Sequence, residues 1–372
     1  MRILFIASAR IPTERAMGTA IMKQCEGFAR EGHVVTLVVP KRSGTATDDP
    51  FLYHRVEKIF TIQYIHCYDR VSASKILYYI RQVTFIFSLW RYVASHDADT
   101  ILYSREPALL ALLPTTKKKY IELHHFFGLR YFGSFLLKQF EGLITITLAL
   151  KRDVVERFGY PQNAIHVAPS GVCLSDYRSV ASKESVRHRL GIPPGATVAL
   201  YVGEFDTWKG VETFLRAGAS LVEQGVTPVV VGGSTSRITY FKEKYPHTLF
   251  LGRRPQSELP DTLQIADVLV VPNSAQYEIS NRHTSPLKVF SYMASGIPIV
   301  ATKTVANAEI LHTHTASLVT PDDPDALGKE IIRVIADYSE AQERAKQARM
   351  DVAQYDWSSR TKGIIAFMCN RA

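Results

Sequence analysis

Cysteine is scarce in this sequence, and so are the patterns it would serve. Four occur in 372 residues, Cys25, Cys67, Cys173 and Cys369, with no C-x-x-C among them. A disulfide framework and a cysteine-built zinc site are both excluded, and the expectation is a reduced, cytoplasmic chain. No H-E-x-x-H and no G-x-G-x-x-G is present either. Their absence removes one zinc-hydrolase signature and the dinucleotide fingerprint. No metal and no cofactor is expected, and His312 and His314 read as loop residues. Long uncharged apolar runs are lacking too. The stretch "KILYYIRQVTFIFSLWRYV", residues 75–93, is broken by Arg81 and Arg91, so it is too charged to span a bilayer comfortably.

What is present is a globular balance. Hydrophobic residues make up 46% and charged residues 21%, with a mean hydropathy of −0.02. The length exceeds what one core normally fills, so two domains are expected. A net charge of +9 and a pI of 9.2 favour anionic partners. Nucleic acid is not expected among them. The basic residues are dispersed, and no helix-turn-helix, zinc-finger or RNP pattern occurs. Acidic lipid and phosphorylated small molecules remain. Residues 75–93 then have two readings. One is a helix packed on the core. The other is a helix in a membrane interface, making a peripheral contact with anionic lipid.

Short apolar runs alternate with helical patterns, as in a doubly wound α/β sheet. In the first half, strands are expected at residues 3–8 and 34–40, then at "TILYS", "KYIELHHFFG" and "GLITIT". A helix is expected over 18–30. A second alternation runs through "TVALYVG", "TPVVVGG", "TLFLG", "DVLVVPN", "PIVAT" and "ASLVT". Helices are expected over 324–337, 339–355 and 358–368. A boundary falls within 170–195, giving domains 1–172 and 173–356 and a closing helix within 357–372.

Chemistry concentrates in the second half. Ser285 reads as a helix N-cap and Pro286 as the first helical position, with Gly296 and Pro298 closing the helix. Lys288 then sits in the first turn, where the helix dipole is already positive, which favours an adjacent anion. The backbone N–H groups of Leu287 and Lys288 would point at that anion. Two glycine turns after strands, at Gly203 and at Gly232 and Gly233, would lie at the same sheet edge. Lys209, between Trp208 and Gly210, adds a point charge there. A diphosphate satisfies all of these groups. Residues 273–284 read as a loop without regular structure.

These pieces resemble the GT-B glycosyltransferases of the retaining family 4 type (group 1 glycosyltransferases) over nearly the whole chain. The match rests on the first 40 residues, on "AIHVAPSGVCLSDY", on "YVGEFDTWKGVETFL" and on "TSPLKVFSYMASGIPIVAT". The resemblance implies two Rossmann-like doubly wound domains facing a cleft. The first would take the acceptor, and the second a nucleotide-sugar donor, which is a substrate and not a cofactor. The last helix would return to the first domain. It implies that Lys209 meets the donor diphosphate and that the amides of Leu287 and Lys288 bind its distal phosphate. Gly18 would lie near the sugar and phosphate, and His124 would face the transferred sugar. Transfer would proceed with retention and without a metal, to a lipid-linked or polysaccharide acceptor in envelope or exopolysaccharide synthesis. Three positions depart from the family pattern. The usual pair of glutamates seven residues apart is His283 and Ser291, and a common arginine is Glu204. Ser291 could offer the ribose only a hydroxyl, and Glu278 is a candidate substitute acid. The departures keep two alternatives open: a catalytically weak GT-B-like binding or partner subunit, and a sugar-nucleotide epimerase.

Overall fold

The computed structural model describes residues 1–13, 16–42, 49–69, 75–126 and 133–371. Residues 14 and 15 of the first loop lie outside that set. Two units form, residues 1–169 with 357–372, and residues 170–356.

The first unit is a seven-stranded parallel sheet: β1 (Arg2–Ile6), β2 (Val34–Pro40), β3 (Thr61–Ile65), β4 (Ile101–Ser104), β5 (Lys119–Leu123), β6 (Gly142–Thr145) and β7 (Ile165–Val167). The order is 3-2-1-4-5-6-7. Near-continuous apolar strands are what a sheet buried on both faces requires. Alternate residues feed two cores. Leu4 and Ile6 join Phe85, Leu89 and Val93 of helix α2 (Lys75–Ala94). Ile3 and Phe5 join Ile21, Cys25 and Phe28 of helix α1 (Ala16–Arg30), with Ile364 and Met368 of the C-terminal helix Trp357–Cys369.

The second unit repeats the plan with β8 (Thr197–Val202), β9 (Val226–Val231), β10 (Leu249–Phe250), β11 (Val268–Val271), β12 (Ile299–Thr302) and β13 (Ser317–Val319). Its order is 10-9-8-11-12-13, again parallel. Leu200 and Val271 face Val289 and Met293 of helix α4 (Leu287–Ser295). Tyr201 and Val270 face Phe214 and Leu215 of helix α3 (Val211–Glu223). In each unit the strand order reverses at one point, between β1 and β4 and between β8 and β11. Ligands bind doubly wound sheets at that point, outside the carboxyl ends of the strands.

Three expectations need correction. The short strands β3 and β7 are absent from the sequence reading, since "TIQYI" is half polar and "IHV" has only three residues. Residues 273–284 are not structureless, because a π-helical turn spans Ile279–His283. Ser285 is not the cap of α4: Pro286 holds that position, and no side chain caps the helix.

Glycine is needed where the loops of the second unit meet. Gly210 has φ +68°, and a Cβ on it would run into the Pro272 carbonyl oxygen. A Cβ on Gly232 would strike the Gly203 carbonyl oxygen. Backbone approaches backbone at these turns, which explains the glycines without any ligand. Gly210→Ala combines positive φ with a backbone clash, so it should cost about 2 kcal/mol or more. In a thermal melt that is a fall of roughly 4–8 °C. An unchanged melting temperature would refute the close-approach account.

Candidate functional site

At the switch point of the second unit, the loop after β8 meets the loop after β11. The Ser274 amide donates to the Trp208 carbonyl at 3.2 Å. This places Lys209 beside the opening of α4. The Lys209 ammonium lies 2.8 Å from an Asp206 carboxylate oxygen and 5.0 Å from the centre of the Trp208 ring. Asp206 is half exposed, so water screens the pair and an anionic ligand can compete for the lysine.

Lys288 is in a different state. Its ammonium nitrogen is out of reach of solvent and has no hydrogen-bond partner. It packs over the Tyr201 ring, 4.3 Å from the centroid. Burial strips its hydration, and the Lys209 charge repels it, so its pKa is pushed down to about 7. The ring face offers a cation some attraction, but three N–H donors remain unpaired. Pro286 supplies no capping side chain, and the first-turn amides of Leu287 and Lys288 precede any intrahelical acceptor. Two lysines and an uncapped helix end converge on a place suited to a polyanion.

The remaining candidates of this unit have other partners. Glu204 pairs with Arg253 at 2.8 Å and not with Lys209. The sequence reading missed Arg253, although the "GRR" after β10 could have flagged it. Gly203 lies against Tyr201, whose hydroxyl a Cβ would approach to 2.8 Å. The Ser285 hydroxyl accepts from the Ser170 amide at 2.8 Å. That bond fixes the crossover segment to the residue before Pro286. Ser291 is buried beside Tyr177. His283 is buried in the π-helical turn, and Glu278 precedes it on the surface.

The switch point of the first unit holds a carboxylate with an arginine beside it. Glu106, after β4, accepts from the amide and hydroxyl of Ser8, after β1, at 2.6 and 2.5 Å. Arg42 closes the group by donating to the Ser8 carbonyl at 2.8 Å. A carboxylate here disfavours a phosphate. Gly18 is explained by packing, since a Cβ would strike the Thr13 methyl and approach the His54 ring. His54 orders that turn. Nε2 accepts from the Thr13 amide at 3.4 Å, so Nδ1–H faces the Thr19 hydroxyl at 3.1 Å. Burial pushes the His54 pKa down to about 4, which keeps the ring neutral.

His124, at the end of β5, is held by a carboxylate that the sequence reading did not anticipate. Glu122 is fully buried; it accepts from His124 Nε2 at 2.9 Å and the Tyr103 hydroxyl at 2.5 Å, and it pairs with the guanidinium groups of Arg105 at 2.9 Å and Arg360 at 3.0 Å. Arg360 comes from the C-terminal helix and is itself fixed by Gln24 and the Pro169 carbonyl. Burial alone would raise the Glu122 pKa, but the two guanidinium groups hold it well below the carboxylate range. Burial, with the arginines nearby, lowers the His124 pKa against the pull of Glu122. The ring is therefore neutral at pH 7. Its proton is on Nε2 facing Glu122, and Nδ1 is the unprotonated nitrogen. A single glutamate inside an apolar strand, "YIELHH", was the available signal.

Both halves of the chain match known families. A model described as "Glycosyltransferase Family 4" covers residues 17–176, and one described as "Glycosyl transferases group 1" covers 196–337. A curated relative, D-inositol 3-phosphate glycosyltransferase of Corynebacterium urealyticum, is 27% identical over 240 residues, 60% of this chain and 55% of that protein. An uncharacterized glycosyltransferase of Methanocaldococcus jannaschii is 25% identical over 234 residues, 60% of this chain and 58% of that protein. The chain thus spans little more than half the length of these two relatives. Among solved structures, Anabaena HepE in complex with UDP-glucose superposes with a TM-score of 0.78 at 15% identity, over 100% of both chains. At that identity the likeness establishes the fold, GT-B, with two Rossmann-like doubly wound domains.

Glu122→Gln should leave two buried guanidinium groups without their counter-charge and cost about 3–5 kcal/mol at neutral pH. Because the folded pKa of Glu122 is depressed, its contribution is present above the carboxylate range. It is lost as pH falls through that range toward the folded value. Urea melts should therefore show the gap between the two proteins closing below about pH 4. Equal stability at pH 7 would contradict the network.

Proposed function

Because the chain belongs to the group 1, family 4 glycosyltransferases, we propose that it transfers a sugar from a nucleoside-diphosphate sugar to a glycan or lipid-linked acceptor. The donor binds the second unit and the acceptor the first. One observation carries this division: the charge at the two switch points. Lys288, unpartnered and desolvated beside Lys209, invites a diphosphate in the second unit, while Glu106 occupies the equivalent place in the first. HepE, which shares the fold, has been solved with UDP-glucose, so UDP-sugars are the first donors to test.

Transfer proceeds with retention and needs no metal. The bond from the sugar anomeric carbon to the diphosphate oxygen breaks as the acceptor oxygen bonds that carbon on the same face. The acceptor proton passes to the departing phosphate oxygen. Lys209, Lys288 and the amides of α4 stabilise the charge that develops on the leaving group. His124, neutral and locked by Glu122, orients the sugar. The acceptor belongs to an envelope or exopolysaccharide glycan, and the reaction takes place in the cytoplasm at the membrane face. A second reading, a GT-B-like binding subunit with weak catalysis, is favoured by Ser291. A buried hydroxyl stands there where relatives carry a ribose-binding glutamate.

UDP-, GDP-, ADP- and CMP-sugars should be compared by thermal shift. A cognate donor at 100 times its dissociation constant adds about 2.7 kcal/mol, roughly 5–10 °C for a domain of this size, and Lys209→Ala should abolish most of the shift. No response to any nucleotide sugar would remove the donor site, and a full shift in Lys209→Ala would remove the role of that lysine. A thermal shift with a nucleotide sugar but no turnover of that donor would favour the binding-subunit reading.

Lys288 adds a pH dependence with a definite sign. Its pKa in the free protein is about 7, and a diphosphate beside it raises that value. Above pH 7, binding must take up a proton. UDP affinity should be flat below about pH 7 and fall by up to tenfold per unit above it, and Lys288→Met should flatten the profile while weakening binding. Calorimetry across that range tests this, and a profile unchanged by Lys288→Met would exclude the lysine.

A further inference from the structure

Helix α2 has two apolar faces, and only one of them is used by the fold. Phe85, Leu89 and Val93 are buried in the core of the first unit. On the opposite side, Ile80, Val83, Phe87 and Trp90 are 40, 64, 55 and 38% exposed. Their spacing of three, four and three residues puts them on one helical stripe. The Phe87 and Trp90 rings touch, 5.9 Å apart. Large apolar side chains aligned in this way on a surface helix mark a contact surface.

The occupant follows from charge. Helix α2 contains Lys75, Arg81 and Arg91 and no acidic residue; the Arg81 Nε is buried, and Arg91 is exposed beside Trp90. The unit that carries it has 25 Lys and Arg against 14 Asp and Glu, a net +11, while the second unit has 19 against 21, a net −2. The basic excess of the chain thus lies wholly in the unit that presents the stripe. A second copy packed stripe to stripe would bring like charges together, and the helix itself offers no acid to pair them. An anionic surface with an apolar interior has the complementary composition. Crossing such a layer is not available to α2. Its inner face is committed to the core, and no described helix is long and apolar enough to span a membrane.

We propose that the outer face of α2 docks the first unit onto an anionic lipid bilayer, with Val83, Phe87 and Trp90 inserted at the interface and the basic charge of the unit over the headgroups. Trp is suited to that depth because its ring is apolar and its N–H polar. The surface belongs to the proposed acceptor domain, and the inference rests on the membrane-facing reading above only for its biological setting.

The test is flotation with vesicles of phosphatidylcholine alone and with about 30% phosphatidylglycerol. The full chain should float with the anionic vesicles only, and less as salt rises from about 0.1 to about 1 M. Phe87→Ser with Trp90→Ser should reduce the bound fraction by about tenfold or more. Val83→Asp, at the most exposed position, should do the same and keeps the test valid should the double variant misfold. The thermal shift with UDP should be unchanged in both. Equal binding by wild type and variants would overturn the proposal. So would no vesicle binding by wild type together with a dimer, seen by sedimentation velocity, that Val83→Asp dissolves. Loss of the UDP shift with vesicle binding intact would instead count against the donor site and leave the docking face standing.

Discussion

A lysine ammonium without a hydrogen-bond partner is costly to keep inside a protein. Lys288 is such a group, and much of the second unit is arranged around it. Tyr201 supplies the ring beneath it and is fixed in turn by donating its hydroxyl to the Glu204 carbonyl at 2.8 Å. Pro286 starts the helix without a side-chain cap, so the positive end of α4 adds to the same field. Gly203, Gly210 and Gly232 let the loops after β8, β9 and β11 come close enough to enclose the point. Lys209 approaches from the β8 loop and makes the burden heavier by repulsion. An arrangement that concentrates unpaired positive charge gains nothing for stability. It is understandable as a site whose missing counter-charge comes with the ligand.

The first unit shows what the same topology does when no such ligand is expected at its switch point. Ser8, Glu106 and Arg42 satisfy one another there. The polar investment moves instead to the end of β5, where Glu122 gathers two arginines, a tyrosine and His124. Three of the four partners of that carboxylate come from other elements: Tyr103 and Arg105 from the β4 end, Arg360 from the C-terminal helix. The histidine therefore has one tautomer and one orientation. Two sheets of nearly equal strand order thus carry different chemistry because different residue types stand at the ends of corresponding strands.

The long apolar strands and the amphipathic helices were legible because burial on both sheet faces leaves a strong pattern. The edge strands β3 and β7 were not, since an edge needs fewer apolar residues and tolerates Thr61, Gln63 and His166. The helix at Leu287–Ser295 was placed to within one residue, but its cap was misread. A serine before a proline satisfies the capping rule by composition, whereas the Ser285 hydroxyl is drawn to the Ser170 amide 115 residues away. The candidate lysines were visible as local motifs. Glu122 and Arg360 were not, because their partnership spans 238 positions of sequence and leaves no local trace. Glu204 stands where the family commonly has an arginine, and Arg253, 49 positions on, supplies its neutralising partner.

Ser291 shifts the balance of forces along the proposed donor. A carboxylate at that position could accept two charge-assisted bonds from a ribose, each contributing about 1.5–3 kcal/mol. The serine offers one neutral hydroxyl in a buried place instead. Grip on the proposed donor would then fall to the diphosphate end, where the unpartnered Lys288 ammonium would gain a partner. Such a site distinguishes phosphate number more sharply than sugar or ribose chemistry. Selectivity for the base and the transferred sugar must then arise from residues beyond the anion site, and this separation lets one charge framework serve donors of different kinds.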